Sequence, residues 1–179
     1  MYKLALSAGV FLSLTSMNFA QADATGTVNF QGKLYETTCD VSVEEQGPDA
    51  IVTLPPVGIE QLSSAGMIAG RTEFNMKLSD CPYVTGGGRV TAFFEAGPTV
   101  DLVTGRLKNA SGTAGNVDLI IYYGSSTVQS RAGTLPKMHY SFSGNPTTVT
   151  LPYAVAYYAK APTTAGSVRS SVVYSISYR

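Results

Sequence analysis

Apolar and polar side chains alternate along most of this chain, the period-2 pattern of strands that bury one face. Val28, Phe30, Gly32 and Leu34 alternate in TVNFQGKL, and Cys39, Val41 and Val43 share a face soon after. IVTL (Ile51 to Leu54) is a short β-rich run. Phe74, Met76 and Leu78 alternate in TEFNMKL, and Val90, Ala92 and Phe94 in RVTAFFE. In NVDLIIYY, Val117, Leu119, Ile121 and Tyr123 line one side, with Ile120 and Tyr122 on the other, so this strand is expected to be buried on both faces. VTL at Val149 to Leu151, YAVAYYA from Tyr153 and SVVYSISYR follow; in the last, Val172, Tyr174, Ile176 and Tyr178 alternate up to the final residue. Turn-forming clusters (EEQGPD, TGGG, AGPT, NASGTAG, SGNP, APTTAG) separate these runs. Only IEQLSSAGM, Ile59 to Met67, suits a helical turn. Many short strands with Gly/Pro turns predict one all-β domain, a sandwich or a barrel.

The first residues do not fit that pattern. MYKLALSAGVFLSLTSMNFAQA has a basic start at Lys3, an apolar run to Phe19 and an A-x-A end, the parts of a signal peptide cleaved after Ala22 or, alternatively, Ala24. The run is too short for the roughly 20 residues of a membrane span. Removing 22 of the 179 residues leaves 157, the size of one domain, with 11 basic and 12 acidic side chains. Such neutrality offers no electrostatic basis for binding nucleic acid or an anionic membrane. Charged residues make up only 13% of the chain, about half the usual share. The fold must therefore rely on buried surface and main-chain hydrogen bonds.

Catalytic chemistry lacks its parts. His139, in PKMHYS, is the chain's one histidine, which leaves little scope for a Ser-His or Cys-His nucleophile; it is expected to be a solvated or hydrogen-bonded loop residue. Twelve carboxylates include no pair that the sequence singles out for glycoside hydrolysis. Gly86, Gly87 and Gly88 lack the strand-to-helix setting of a phosphate cradle and are expected to form a turn. Asn109-Ala110-Ser111 matches a glycosylation acceptor, a short pattern that is frequent by chance. No catalytic, cofactor-binding or metal-binding residue is assigned. In an exported chain, Cys39 and Cys81 are most economically read as one disulfide. Closing about 43 residues would stabilise the fold by roughly 4 kcal/mol.

The two ends raise a question. A strand pattern beginning just after the cleavage site, and another ending with the chain, leave apolar edges that proteins normally blunt with charge or proline. One reading is that both strands pair within their own domain.

A resemblance supports another. GTVNFQGKLYETTC resembles the amino-terminal extension of chaperone–usher pilins, most like the type 1 fimbrial proteins, running up to their first disulfide cysteine. TEFNMKLSDCP resembles the strand leading to the second. AGNVDLII resembles the family strand A-x-N-V-x-(V/L)-x-(I/L), and LPYAVAYYA resembles (I/L)-P-(F/Y). Gly166 stands fourteenth from the end and Tyr178 is penultimate, as in the family's carboxy-terminal motif. The match spans the mature chain, more loosely from Glu44 to Met67 and from Thr134 to Pro146.

This resemblance implies an incomplete immunoglobulin-like sandwich: six strands, lacking the seventh, with an amino-terminal donor-strand extension. Residues 1–22 would be signal, 23–37 extension and 38–179 pilin domain. A periplasmic chaperone would fill the open groove first. After passage through an outer-membrane usher, the extension of an identical or related subunit would replace it. Val28, Phe30 and Leu34 would enter the neighbour's groove, with Gly32 where backbone approaches too closely for a side chain. Only about five residues precede Val28 in this extension, fewer than the family pattern has. Gly166, Val172, Tyr174, Ile176, Tyr178 and Arg179 would form the acceptor and chaperone-binding edge. The expected function is a structural subunit of a surface fimbria supporting adhesion, exported to the periplasm and then extracellular. The alternative is a minor adaptor or carbohydrate-binding adhesin subunit of the same fibre.

Overall fold

Where the chain alternates, it mostly pairs. The computed structural model describes residues 39–81, 87–144 and 148–179. The signal segment, the extension to residue 37 and the donor positions Val28, Phe30, Gly32 and Leu34 lie outside the described residues. Among the described residues nine strands follow one another: β1 (Asp40–Val43), β2 (Ile68–Ser79), β3 (Gly88–Phe94), β4 (Val100–Asp101), β5 (Arg106–Lys108), β6 (Val117–Tyr123), β7 (Tyr140–Phe142), β8 (Thr148–Ala159) and β9 (Tyr174–Tyr178). Six of them run four residues or longer, while β4, β5 and β7 are short. They form two antiparallel sheets, ordered β1-β2-β8-β6-β5-β4 and β7-β3-β9.

The inward faces are those the alternation marks. Phe74, Met76 and Leu78 of β2, Leu119, Ile121 and Tyr123 of β6, and Val149, Leu151, Tyr153 and Val155 of β8 meet Val90, Ala92 and Phe94 of β3 in one core. β6 is buried on both faces, with Ile120 and Tyr122 packed outward against Ala154 and Ala156. On that outer side Asp118, 1% exposed, lies 2.9 Å from the Lys160 ammonium and 3.5 Å from Arg106 Nε. Ile59–Leu62 forms the one helical turn expected, of the 3-10 type.

VTL and YAVAYYA turn out to be one twelve-residue strand, β8, continuous through Pro152. Proline inside a central strand normally breaks a ladder. Here the Pro152 carbonyl accepts a bond from the Gly124 amide at 2.9 Å. Carbonyl and nitrogen of one strand residue face the same edge, so the missing N–H faces the end of β6 and not β2. No β2 bond is lost.

Tyr153 ties the sheets together. Its ring is 0% exposed and lies 5.2 to 5.9 Å, centroid to centroid, from Phe74, Phe94, Tyr123 and Tyr140. Its hydroxyl accepts from the Ala92 amide at 2.9 Å and shares a bond with the Thr91 hydroxyl at 3.2 Å. β7 pairs with β3 only as far as Val90, so the hydroxyl takes the ladder's place at Ala92. Burial raises the Tyr153 pKa and keeps the phenol protonated.

Cys39 and Cys81 are joined, with their Cα atoms 4.2 Å apart, beside the β1–β2 pairing. Thiol labelling of the native protein is expected to find no free cysteine. Cys39→Ser paired with Cys81→Ser is expected to lower the stability of subunit filled by donor peptide by about 4 kcal/mol in urea denaturation. A loss under about 1 kcal/mol would show that the bridge contributes little.

Three expectations are corrected. IVTL is extended but belongs to no sheet among the described residues, because no strand lies in bonding reach of its main chain. The final strand begins at Tyr174, so Val172 precedes it. His139 is half-buried, its Nε2 without a hydrogen-bond partner among the described residues. Burial, then the charges of Arg179 and Arg89, lower its pKa.

Candidate functional site

On one side of the sandwich the core is open to the surface. A cavity of about 330 Å³ has Phe74, Met76, Leu119, Ile121 and Val155 as its floor. Val52 and Leu54 stand along one wall, Val172 and Tyr174 along the other. A second cavity, of about 370 Å³, shares Leu54 and continues past Val57, Leu62 and Val117 towards Gly166 and Val168. Together they make an apolar groove between two lips, residues 48–57 and residues 163–174.

The first lip is built as a strand but has no sheet. Ile51 and Thr53 point out while Val52 and Leu54 are half-buried, the alternation of extended chain. Residues 48–57 make no main-chain to main-chain hydrogen bond among the described residues. Pro48, Pro55 and Pro56 have no N–H to offer, so the lip's amides are confined to residues 49–54 and 57. Just upstream the chain leaves β1 through Glu44 and Glu45, with φ of 47° and 59°, a left-handed turn that swings it away from the sheet.

The second lip is pinned by the loop before β6. Asn109 is the hub: its amide donates to the carbonyls of Ala114 (2.8 Å) and Ser167 (3.2 Å). Its carbonyl oxygen accepts from the amides of Gly112 (3.1 Å) and Arg169 (2.8 Å). The sequence pattern marked Asn109 as a glycan acceptor; the structure uses its side chain completely. Gly166 passes so close to this loop that a Cβ would strike the Ala114 amide, which accounts for a glycine there. Further on, Thr99 donates to the Ser171 carbonyl at 2.5 Å, and the Glu95 amide to the Val173 carbonyl at 2.8 Å.

The expected edge residues fall on this second lip and on β9. Val172, Tyr174 and Ile176 are half-buried against the core, whereas Val173 between them is 73% exposed. β9 pairs with β3 on one side and is the outer strand of its sheet. Tyr178 is 40% exposed, beside the main chain of Cys39. Arg179 continues the pairing, exchanging main-chain bonds of 2.7 and 2.8 Å with Arg89. Tyr174 also reaches across the groove, its hydroxyl donating to the Pro48 carbonyl at 2.8 Å. Burial, reinforced by the Asp49 charge, raises its pKa and keeps the hydroxyl a donor.

Sequence reasoning marked the alternation of the final strand but not the opposite lip, the Asn109 hub or the Tyr174–Pro48 bond. The prolines at 48, 55 and 56 were the one available signal. Among the described residues no three His, Cys, Asp or Glu side chains are grouped to hold a metal ion. What the groove can do is receive an extended apolar segment, pairing main chain with main chain above an apolar floor.

Comparison with known proteins identifies the family and the fold. The family model for FimA, type-1 fimbrial protein A, matches residues 54–179. The major fimbrial subunit SMF-1 of Stenotrophomonas maltophilia is 36% identical over 92% of this chain and 99% of its own. The F17 fimbrial protein of Escherichia coli is 33% identical over the full length of both. Among solved structures, the P pilus rod subunit PapA superposes with a TM-score of 0.58, at 14% identity, over 80% of this chain and 100% of that one. A subunit of a chaperone–usher pilus superposes with a TM-score of 0.56, at 15% identity, over 92% and 100%. At such identities the superpositions establish the fold alone, an immunoglobulin-like pilin sandwich. The chain belongs to the type-1 fimbrial protein family, whose members are structural subunits of surface pili rather than enzymes.

Proposed function

We propose that the groove is the acceptor site of a fibre built head to tail by donor-strand exchange. The observation that carries this reading is the lip 48–57, extended strand backbone without a main-chain partner among the described residues, facing β9 across the exposed core. The donor is the stretch Val28, Phe30, Gly32, Leu34 of another subunit. Burying its three large side chains contributes roughly 1.5–3 kcal/mol each, and each main-chain hydrogen bond about 1 kcal/mol net. Because the donor completes a core that is otherwise open, folding and assembly become one linked equilibrium. Donation in one direction does not close on itself, so the product is a filament.

Before assembly, a strand of a periplasmic chaperone occupies the same groove, and an outer-membrane usher is where the exchange takes place. The signal segment delivers the chain to the periplasm; the fibre is extracellular. Identical copies are the main partner, in keeping with a 36% identical relative named a major fimbrial subunit.

Expression in the periplasm tests this. Alone, the subunit is expected to aggregate or be degraded; with its chaperone it is expected as a one-to-one complex. Ile176→Asp, which puts a charge on β9's inward face, should abolish that complex. A soluble, stable monomer obtained without chaperone would contradict an unfinished core.

A further inference from the structure

The lip that would accept the donor is held in place by a side chain far from the groove floor. Gln46 lies in the turn after β1 and is exposed. Its carboxamide makes two reciprocal bonds to one residue of the lip. Nε2 donates to the Ile51 carbonyl and the Ile51 amide donates to Oε1, both at 3.1 Å. This is the hydrogen-bond pattern by which a neighbouring strand pairs with a residue in an antiparallel sheet, supplied here by a side chain. The pair also determines which end of the carboxamide is oxygen, since only one orientation serves both bonds.

The bonds have a directional consequence. In extended chain, the N–H and C=O of one residue face the same edge, and those of its neighbours face the opposite edge. Gln46 satisfies both main-chain groups that Ile51 turns to its own edge. The main-chain groups of Ala50 and Val52 therefore face the other way, and both residues line the groove. Ile51 itself turns a 78% exposed side chain to solvent, so its position owes little to packing. At the upstream end, the Tyr174–Pro48 bond holds the lip from across the groove.

We propose that Gln46 is a positioning residue for strand acceptance. It holds the lip extended at Ile51 and occupies that residue's outer side, so that Ala50 and Val52 are presented to a donor on the groove side. This rests on the donor-strand reading above. A preformed lip removes an ordering cost that the donor would otherwise bear, so losing Gln46 lowers the fraction of subunits competent to bind.

The test uses the full mature chain refolded from urea with increasing amounts of a labelled peptide covering Asp23 to Tyr35. For Gln46→Met, which keeps the side chain's length and loses both bonds, half-occupancy is expected at about tenfold more peptide than for wild type. Gln46→Glu keeps the acceptor for the Ile51 amide and should fall between them. Hydrogen exchange of the Ile51 amide in the peptide-filled subunit should quicken in Gln46→Met. The yield of one-to-one chaperone complex should not change. Equal half-occupancy for all three proteins would overturn the role of Gln46. So would a fall in chaperone-complex yield that matches the whole shift, since the residue would then be merely structural. If wild type takes up no peptide at any concentration, the acceptor reading of the groove itself fails, and this inference with it.

Discussion

A subunit carrying Phe30→Asp is expected to be recovered with its chaperone in normal yield and to form no fibres. The two halves of that result have separate causes. With the chaperone in the groove, the donor segment has no pocket to fill, so a charge on it meets only water. During polymerisation the same carboxylate would have to enter a groove floored by Phe74, Met76, Leu119, Ile121 and Val155, none of which can pair with it. Burying an unpaired charge or its protonated form costs several kcal/mol, which exceeds the roughly 1.5–3 kcal/mol that phenylalanine contributes there. Electron microscopy of cells making only this variant, together with chaperone-complex yield, separates the outcomes. Normal fibres would defeat donor-strand assembly. Loss of the chaperone complex would instead place Phe30 in its own domain's core.

Tyr153→Ala is expected to prevent recovery of folded subunit even with chaperone. The side chain is wholly buried among four aromatic rings, and truncating an aromatic in such a site costs about 3–5 kcal/mol. Its hydroxyl also serves the Ala92 amide, which would be left buried without a partner. That second loss can be isolated. Tyr153→Phe keeps the ring and should cost about 1–3 kcal/mol, giving subunit that folds with chaperone but melts earlier once filled by donor peptide. If Tyr153→Phe melts with wild type, the hydroxyl bridge between the sheets is not stabilising. If Tyr153→Ala is recovered in normal yield, the core around it is not the one described.

Much of this fold was legible in the sequence. The inward faces of β2, β3, β6 and β8 follow the alternation of Phe74, Val90, Leu119 and Leu151 with their neighbours, because a pleated strand presents every second side chain to one side. The double burial of β6 was equally readable, since apolar residues occupy both of its sides from Leu119 to Tyr123. The disulfide followed from two cysteines in a chain whose first residues read as a signal peptide. Places where reading failed share a cause. VTL and YAVAYYA looked like two strands because Pro152 punctuates them, and only the end of β6 beside Pro152 makes that proline harmless. Asn109 matched a modification pattern, and only the approach of residues 166–169 reveals it as a brace.

The composition and periodicity of the chain by themselves determined which segments are extended and which side chains they bury. Those properties are local, set by the pleat and by burial of apolar surface. IVTL and SVVYSISYR read alike in that respect, yet Tyr174 to Tyr178 gained β3 as a partner, while among the described residues the main chain of Ile51 to Leu54 meets the carboxamide of Gln46. Which edges stay open was decided by the tertiary structure alone. A strand's main-chain hydrogen bonds are completed by whatever chain folds beside it, and nothing in a strand's own residues specifies that neighbour.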